Sequence, residues 1–312
     1  MGLCLARQVG TIRALAQQRP TIYVEGGEAL FGAEPLPRSG PLAEHARARA
    51  ALIARGLQRA GVTALLPGPG DMALGRDTFD ALVRARALPV LASNLVRQGD
   101  RTPAYRTHIV ASIGRTRVVV VGVVDPETWP PATGLVATPP LPALQQVLGR
   151  VVRAGDPVVL VVRGDADSAE ILARQLPQVS AVLVAQRGLV SFFPRELVRP
   201  GQRPELDGSS VPLVAVGQQG HNLAQFDVWA VPRDATWRGG AVSEDARERR
   251  DLARRRLAAQ PDDRAAQSEL EEVEALLQRQ AGKTRYRYHL LELDDRQPED
   301  PEIARQRAAL AD

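Results

Sequence analysis

The fold class of this chain follows from the stretch Thr21-Ile-Tyr-Val-Glu-Gly-Gly-Glu28, in which a short apolar strand runs directly into a glycine loop flanked by two glutamates. A second apolar run, residues 62–66, leads in the same way into the loop Gly68-Pro-Gly-Asp71. Residues 5–18 and 42–60, which precede the two strands, have the apolar spacing of helices. This alternation of helix and buried strand predicts an α/β fold.

The middle of the chain adds strands of both orientations. After a helix at 76–87 and a strand at 88–94, the apolar runs at 108–112 and 117–124 are separated by Ile113-Gly-Arg-Thr116, which predicts an antiparallel hairpin. Further strands are expected at residues 158–162, 181–185, 211–216 and 225–231, and further helices at 143–154 and 168–175. A turn at 217–221 is expected to join the strands 211–216 and 225–231 into a second strand cluster.

The segment 243–282 differs in composition, with ten acidic residues, eight arginines and few apolar positions. Pro261 favours a helix start and Gly282 a helix end, so the segment predicts two helices joined near Gln260. The hairpin is either an arm that binds a protein partner or a solvated insertion. The expected domains are a main domain at 1–241, the charged hairpin at 242–283, and a returning strand with an acidic tail at 284–312.

Composition narrows the classes of function. The chain has 312 residues, 44% of them hydrophobic, and a net charge of +4, yet Lys283 is its only lysine among 40 basic residues. This skew toward arginine is typical of a GC-rich bacterial genome, and the arginines form no basic stripe, so we expect no nucleic-acid binding. Cys4 stands alone, which excludes an internal disulfide. No apolar run reaches the length of a membrane span, and none has the form of an export signal.

The order of these segments resembles the N-terminal domain of the 5′-nucleotidase and UDP-sugar hydrolase family, which lies within the calcineurin-like metallophosphoesterases. Residues 24–28 with Phe31-Gly32 look like its Asp-Ala-Gly-Asp loop, and residues 68–71 stand where its Gly-Asn-His-Glu loop belongs. The segment Pro89-Val-Leu-Ala-Ser-Asn-Leu95 is the most specific local match. The likeness covers roughly residues 3–232 and also includes 159–164, 182–188 and 214–227. It implies a four-layer α-β-β-α sandwich and metal-dependent phosphoester hydrolysis.

The chain departs from the family pattern where that pattern carries chemistry. The family's first metal ligands stand on a strand before the first helix, and we expect this strand to be missing here. Glu28 replaces the bridging aspartate, Pro69 an asparagine ligand and Gly70 a histidine. Arg163 and Arg187 stand where the family uses histidine, and a guanidinium cannot ligate a metal. The family mostly works outside the cytoplasm. The sequence as written is expected to stay in the cytoplasm, whereas a start upstream of Met1 would add the strand and an export signal to the periplasm.

Three carboxylates remain as candidate ligands for a single Mg²⁺, Mn²⁺ or Ca²⁺ ion: Glu25, Glu28 and Asp71. The alternative is that they accept hydrogen bonds from backbone amides, so that no metal cofactor is bound. Arg163 and Arg187 could together bind a small anion, or each could pair with an aspartate such as Asp165 or Asp167. Of the four histidines, at 45, 108, 221 and 289, His221 is placed best for a remodelled site.

These departures favour a degenerate phosphoesterase domain that is catalytically inactive and serves as a binding or structural module. The competing hypothesis is a phosphoester or nucleotide hydrolase with a site rebuilt from Glu28 and Asp71, with His221 as a further candidate. A domain for substrate recognition follows the catalytic domain in the family. Here the hairpin and tail occupy that part of the sequence.

Overall fold

A computed structural model describes residues 2–32, 36–185, 195–198, 202, 209–216 and 222–311 of the chain. The fold is mixed α/β, as the sequence predicted. The helices are α1 Gly2–Gln18, α2 Pro41–Arg59, α3 Arg76–Ala85, α4 Pro140–Val151, α5 Ala166–Gln175, α6 Gly240–Ala259, α7 Arg264–Gln280 and α8 Pro301–Ala311. The first strands are β1 Val24–Glu25, β2 Ala64–Leu65, β3 Leu95–Arg97, β4 Ile109–Ile113, β5 Thr116–Val124 and β6 Leu135–Ala137. The remaining strands are β7 Val158–Arg163, β8 Val179–Ala185, β9 Arg195–Leu197, β10 Val211–Val216, β11 Asn222–Trp229, β12 Arg238–Gly239 and β13 Arg285–Glu292.

A six-stranded sheet in the order β4-β5-β7-β8-β10-β9 forms the centre of the molecule. Its inner strands β5, β7, β8 and β10 are parallel, and the predicted hairpin of β4 with β5 adds an antiparallel edge. Both faces of the sheet are buried. Val118 and Val120 belong to a hydrophobic cluster with α1 and α2, whereas Val119 and Val121 belong to a cluster with α4 and α5. Burial of both faces explains why β5 is a nearly continuous run of valine.

The other strands form smaller sheets. β1 and β2 are parallel, and β11 pairs along its whole length with β13, from Asn222 opposite Glu292 to Trp229 opposite Arg285. The grouping of β10 with β11 in one strand cluster was wrong. β10 is an apolar strand that pairs with β8 and β9, whereas β11 is half-buried and joins β13 and β12. The turn expected between them, 217–221, lies outside the described residues.

The charged segment forms the two predicted helices, α6 and α7, which pack against each other. Asp263 caps α7 by accepting a hydrogen bond from the amide of Ala266 at 3.0 Å. One small cluster of apolar side chains, which includes Val273 and Leu276, is buried between the helices. Ion pairs, including Arg254 with Glu274 at 2.8 Å, add to this contact.

The acidic tail folds back onto the start of the chain. Its helix α8 lies on α1 and α2, and Ile303 is buried between them. Asp300 accepts hydrogen bonds from Arg13 at 2.6 Å and from Arg59 at 2.9 Å. Burial alone would raise the pKa of Asp300. The hydrogen bonds from the Arg59 side chain, the backbone amide of Ile303 and the Arg13 side chain outweigh this effect of burial and lower the pKa to about 2. The tail is therefore an integral part of the fold.

Candidate functional site

Two loops meet where β1 and β2 end. Because the two strands are parallel, the first loop (residues 25–28) and the second loop (residues 68–71) leave the sheet at the same edge. Asp71 joins them. One of its carboxylate oxygens accepts hydrogen bonds from the amides of Glu28 at 2.8 Å and Gly68 at 2.9 Å, and the other accepts from the amide of Leu30 at 3.0 Å. Both oxygens of this fully buried carboxylate are therefore engaged by the backbone.

The loops approach each other so closely that glycine is required. A Cβ atom on Gly68 would lie 2.6 Å from Cγ of Glu28, which is closer than real contacts allow. Gly27 and Glu28 both have positive φ, at 101° and 57°. Glycine tolerates this region freely, but glutamate enters it only when its surroundings hold it there. The backbone thus directs the Glu28 side chain into the protein.

Glu28 forms an ion pair with Arg163, the last residue of β7. Their side chains are only 4% and 6% exposed. This pair stands where the resemblance places a metal ligand and a histidine. The sequence had suggested Asp165 or Asp167 as the partner of Arg163. In the structure Asp165 instead caps α5 by accepting from the amide of Ser168 at 2.7 Å, and Asp167 pairs with Arg195 at 3.0 Å.

Glu25 has a separate hydrogen-bond environment. Its carboxylate accepts a bond from the Tyr23 hydroxyl at 2.8 Å and a weaker one from Gln8 at 3.4 Å. Burial raises the pKa of Glu25, and the charge of Asp71 adds to this effect. Sequence reasoning missed Tyr23 and Gln8 as partners. The spacing of Tyr23 and Glu25, two residues apart on a strand, places both on one face and could have indicated the contact.

Burial makes the carboxyl groups of Glu25 and Asp71 costly to ionise. Burial raises the pKa of Asp71, and the charge of Glu28 raises it further, although the amides of Gly68, Leu30 and Glu28 lower it in part. Arg163 is the cation that pairs with Glu28, beside this carboxylate. Its guanidinium therefore compensates charge inside the protein.

The segment that gave the most specific sequence match has a structural role. The side-chain amide of Asn94 donates hydrogen bonds to the carbonyl groups of Val124 and Thr138, both at 2.8 Å. Its oxygen accepts from the amide of Val124 at 3.0 Å. Asn94 is fully buried and ties the end of β5 to the loop that follows β6.

As arranged in the structure, the side chains of the two loops do not fit a divalent metal ion as ligands. Asp71 accepts from three amides and Glu28 faces a permanent cation, while Pro69 and Gly70 have no side-chain donor. Across residues 2–32, 36–185, 195–198, 202, 209–216 and 222–311, no group of three or more His, Cys, Asp or Glu side chains is arranged to hold a metal. Arg187 and His221, two of the predicted site residues, lie outside the described residues.

Within the part of the chain that the structure describes, no helix has the length and apolar character needed to cross a membrane.

The fold around these loops is that of the calcineurin-like phosphoesterases and of the N-terminal domain of 5′-nucleotidases. The chain is similar to sulfate thiohydrolase SoxB from Thermus thermophilus, with a TM-score of 0.66 and 15% identity over 98% of this chain and 46% of that one. It is equally similar to a 5′-nucleotidase precursor from Thermus thermophilus, with a TM-score of 0.66 and 15% identity over 98% of this chain and 52% of that one. It also resembles the calcineurin-like phosphoesterase YfkN from Bacillus subtilis, with a TM-score of 0.61 and 12% identity over 100% of this chain and 91% of that one.

These similarities confirm the predicted fold resemblance and concern the fold alone. No family model matches the sequence, and the search of curated proteins found no match. The chain spans about half the length of SoxB and of the 5′-nucleotidase precursor.

Proposed function

We propose that this chain is a metallophosphoesterase-like domain that no longer hydrolyses phosphoesters and acts as a binding or structural module. The observation that carries the proposal is the buried ion pair between Arg163 and Glu28. A metal ion next to Glu28 would have to displace a guanidinium that stays protonated at every accessible pH, or else lie beside it. Displacing the guanidinium would leave a buried cation without a compensating charge. A metal ion beside the guanidinium would place two positive charges close together in a medium of low dielectric.

Two further observations support the loss of catalysis. The hydrogen bonds that Asp71 accepts hold both loops in place, so freeing its oxygens for a metal would break contacts at Glu28, Gly68 and Leu30. Nothing in the loop Gly68-Pro-Gly-Asp71 replaces the missing ligands, because proline and glycine offer no side-chain donor. Binding of a small anion by Arg163 and Arg187 stays a proposal, since an anion at Arg163 would have to compete with Glu28.

The hairpin of α6 and α7 is the second part of the proposed module. It is inserted between β12 and β13, strands that pair with each other, which supports treating 242–283 as an insertion between 1–241 and 284–312. Leu252 on α6 is an exposed large apolar residue. We propose that this face of the hairpin contacts a protein partner.

An assay of hydrolysis separates loss of catalysis from a remodelled site. The purified protein is incubated with p-nitrophenyl phosphate, bis-p-nitrophenyl phosphate and nucleoside monophosphates, each with Mg²⁺, Mn²⁺, Ca²⁺ or Zn²⁺. We expect no turnover above that of the metal salt alone, and no stoichiometric metal in the dialysed protein by mass spectrometry.

The remodelled hydrolase is the outcome that would overturn this proposal. It requires metal-dependent turnover that disappears in both Glu28→Gln and Asp71→Asn while both variants keep the circular dichroism of the parent. The matched control is Glu127→Gln, which removes an exposed carboxylate in the loop after β5 and should change nothing. Turnover that survives in both site variants would also contradict the proposed inactivity, and it would show that the activity does not depend on these two carboxylates.

A further inference from the structure

Residues 294–311, which we call the tail strap, are attached to α1 and α2 largely through charge. Among the described residues, six ion pairs join the strap to these two helices. Two of them are Arg13 with Asp300 at 2.6 Å and Arg59 with Asp300 at 2.9 Å. The other four are Arg7 with Asp295, Arg7 with Glu299, Arg55 with Glu302 and Arg59 with Glu302. Four arginines of the two helices thus hold four carboxylates of the strap.

Apolar packing contributes less to this contact than it does for another helix of similar length. The strap's helix α8 has 11 residues and buries Ile303 completely, while Ala304 and Leu310 pack against the same cluster and stay partly exposed. Helix α4 has 12 residues and buries three large apolar side chains, Leu144, Val147 and Leu148. The strap therefore depends more on its ion pairs than α4 does.

These ion pairs are open to dissolved salt. The side chains of the four arginines are between 18% and 41% exposed. Salt screens charges that solvent reaches, and the Debye length falls from about 10 Å at 0.1 M ionic strength to about 3 Å at 1 M. Burial of an apolar side chain is not screened in this way. Rising ionic strength therefore weakens the contact of the strap without weakening that of α4.

We propose that the tail strap is an ionic-strength switch, which detaches from α1 and α2 as one unit while the six-stranded sheet stays folded. The strap contributes no strand to any sheet, so its release breaks no strand pairing. Release does break the backbone hydrogen bond from the amide of Asp300 to the carbonyl of Ala6, at 2.8 Å. It uncovers the four arginines and the apolar surface that covers Ile303. This inference is independent of the proposed loss of hydrolysis.

Protons do not operate this switch near neutral pH. The groups that face each other are arginines on α1 and α2 and the carboxylates of the strap, at positions 295, 299, 300 and 302. Hydrogen bonds hold the pKa of Asp300 at about 2. Carboxylates and guanidinium groups both keep their charge between about pH 6 and 9. Salt concentration is therefore the variable that changes the contact.

Amide hydrogen exchange of the full chain, measured by mass spectrometry at neutral pH, tests the proposal. Exchange in α8 is compared with exchange in α4 at about 0.05 and 0.5 M NaCl. Weakening each of the six ion pairs by a factor of about 1.5 multiplies to roughly tenfold. We therefore expect exchange in α8 to become about tenfold faster at the higher salt concentration, and exchange in α4 to change less than about twofold.

Removing one arginine tests whether the ion pairs cause the effect of salt. Arg59 contacts both Asp300 and Glu302, so Arg59→Met should speed exchange in α8 at low salt and reduce the further acceleration by salt. Arg150→Met is the matched control, because Arg150 lies exposed on α4, and it should leave exchange in α8 unchanged. If Arg59→Met fails to fold, the comparison of salt concentrations on the parent protein still decides between the outcomes.

Three results would overturn the proposal. Exchange in α8 that does not respond to salt would mean that screening does not open the strap. Equal acceleration of α8 and α4 would mean that the chain opens as a whole. An unchanged response to salt in Arg59→Met would mean that salt acts on something other than these ion pairs.

Discussion

Replacing Arg163 with methionine tests whether the ion pair at the loops is as deeply buried as the structure indicates. Arg163→Met keeps a long side chain of similar volume but removes the cation that compensates Glu28. The two side chains are 6% and 4% exposed, so water cannot take over that role. Removing one partner of such a buried pair costs about 3–5 kcal/mol.

The expected shift in melting temperature follows from the size of the chain. At about 2.1 cal/mol/K per residue, the entropy of unfolding of a chain of 312 residues is about 0.66 kcal/mol/K. A loss of 3–5 kcal/mol then lowers the melting temperature by about 5–8 °C. Urea unfolding followed by tryptophan fluorescence gives the same free energy independently, provided that its slope with denaturant stays unchanged.

The double variant Arg163→Met/Glu28→Gln supplies the critical comparison. It removes both charges and keeps the approximate shape of both side chains, so at least half of the lost stability should return. Arg174→Met is the matched control, because Arg174 pairs with Glu170 on the surface of α5 and its loss should cost only about 0.3–0.5 kcal/mol. The reasoning fails if Arg163→Met costs less than about 1 kcal/mol, or if the double variant is less stable than the single one.

Two predictions concern the pH dependence of stability. Because burial raises the pKa of Glu25, the folded state loses stability as the pH rises above the ordinary value of 4.5, and Glu25→Gln should remove that loss. Urea midpoints of the variant should exceed those of the parent at pH 7 and converge with them below about pH 4.5, while a lower midpoint at pH 7 would contradict the raised pKa. For Asp300, whose pKa is lowered from 3.8 to about 2, the contribution is complete above pH 4 and lost as the pH falls toward 2. Linkage converts this pKa shift into about 2 kcal/mol of stability. Asp300→Asn should therefore be less stable than the parent at neutral pH, and its stability should fall less steeply as the pH is lowered toward 2. An unchanged fall in stability at acid pH would contradict the lowered pKa of Asp300.

The pattern of elements could be predicted because it depends on local sequence. The apolar run of β5, the turn before it and the break between α6 and α7 near Gln260 all follow from periodicity and from proline or glycine within a few residues. The two loops were located for the same reason. The structure adds what connects them, since the carboxylate of Asp71 reaches the amides of Glu28 and Leu30 across more than forty residues.

The partner of Arg163 could not be read from the sequence. Asp165 and Asp167 are close to it along the chain, but the turn after β7 directs them to α5 and to Arg195. Glu28 reaches Arg163 only because its backbone has a positive φ, which no residue preference of glutamate indicates. The separation of β10 from β11 also escaped prediction, because strand pairing is decided by burial across the whole fold.

The contact between Asp300 and Arg13 joins residues that are 287 positions apart in the sequence. On the ribosome, α1 is synthesised first, yet the charges of Arg13 and Arg59 can meet Asp300 only after the residues up to Asp300 have been made. The layer formed by α1, α2 and α8 therefore cannot be completed before α8 has left the ribosome. Until then, the surface of α1 and α2 that later covers Ile303 is exposed to the ribosome and to chaperones.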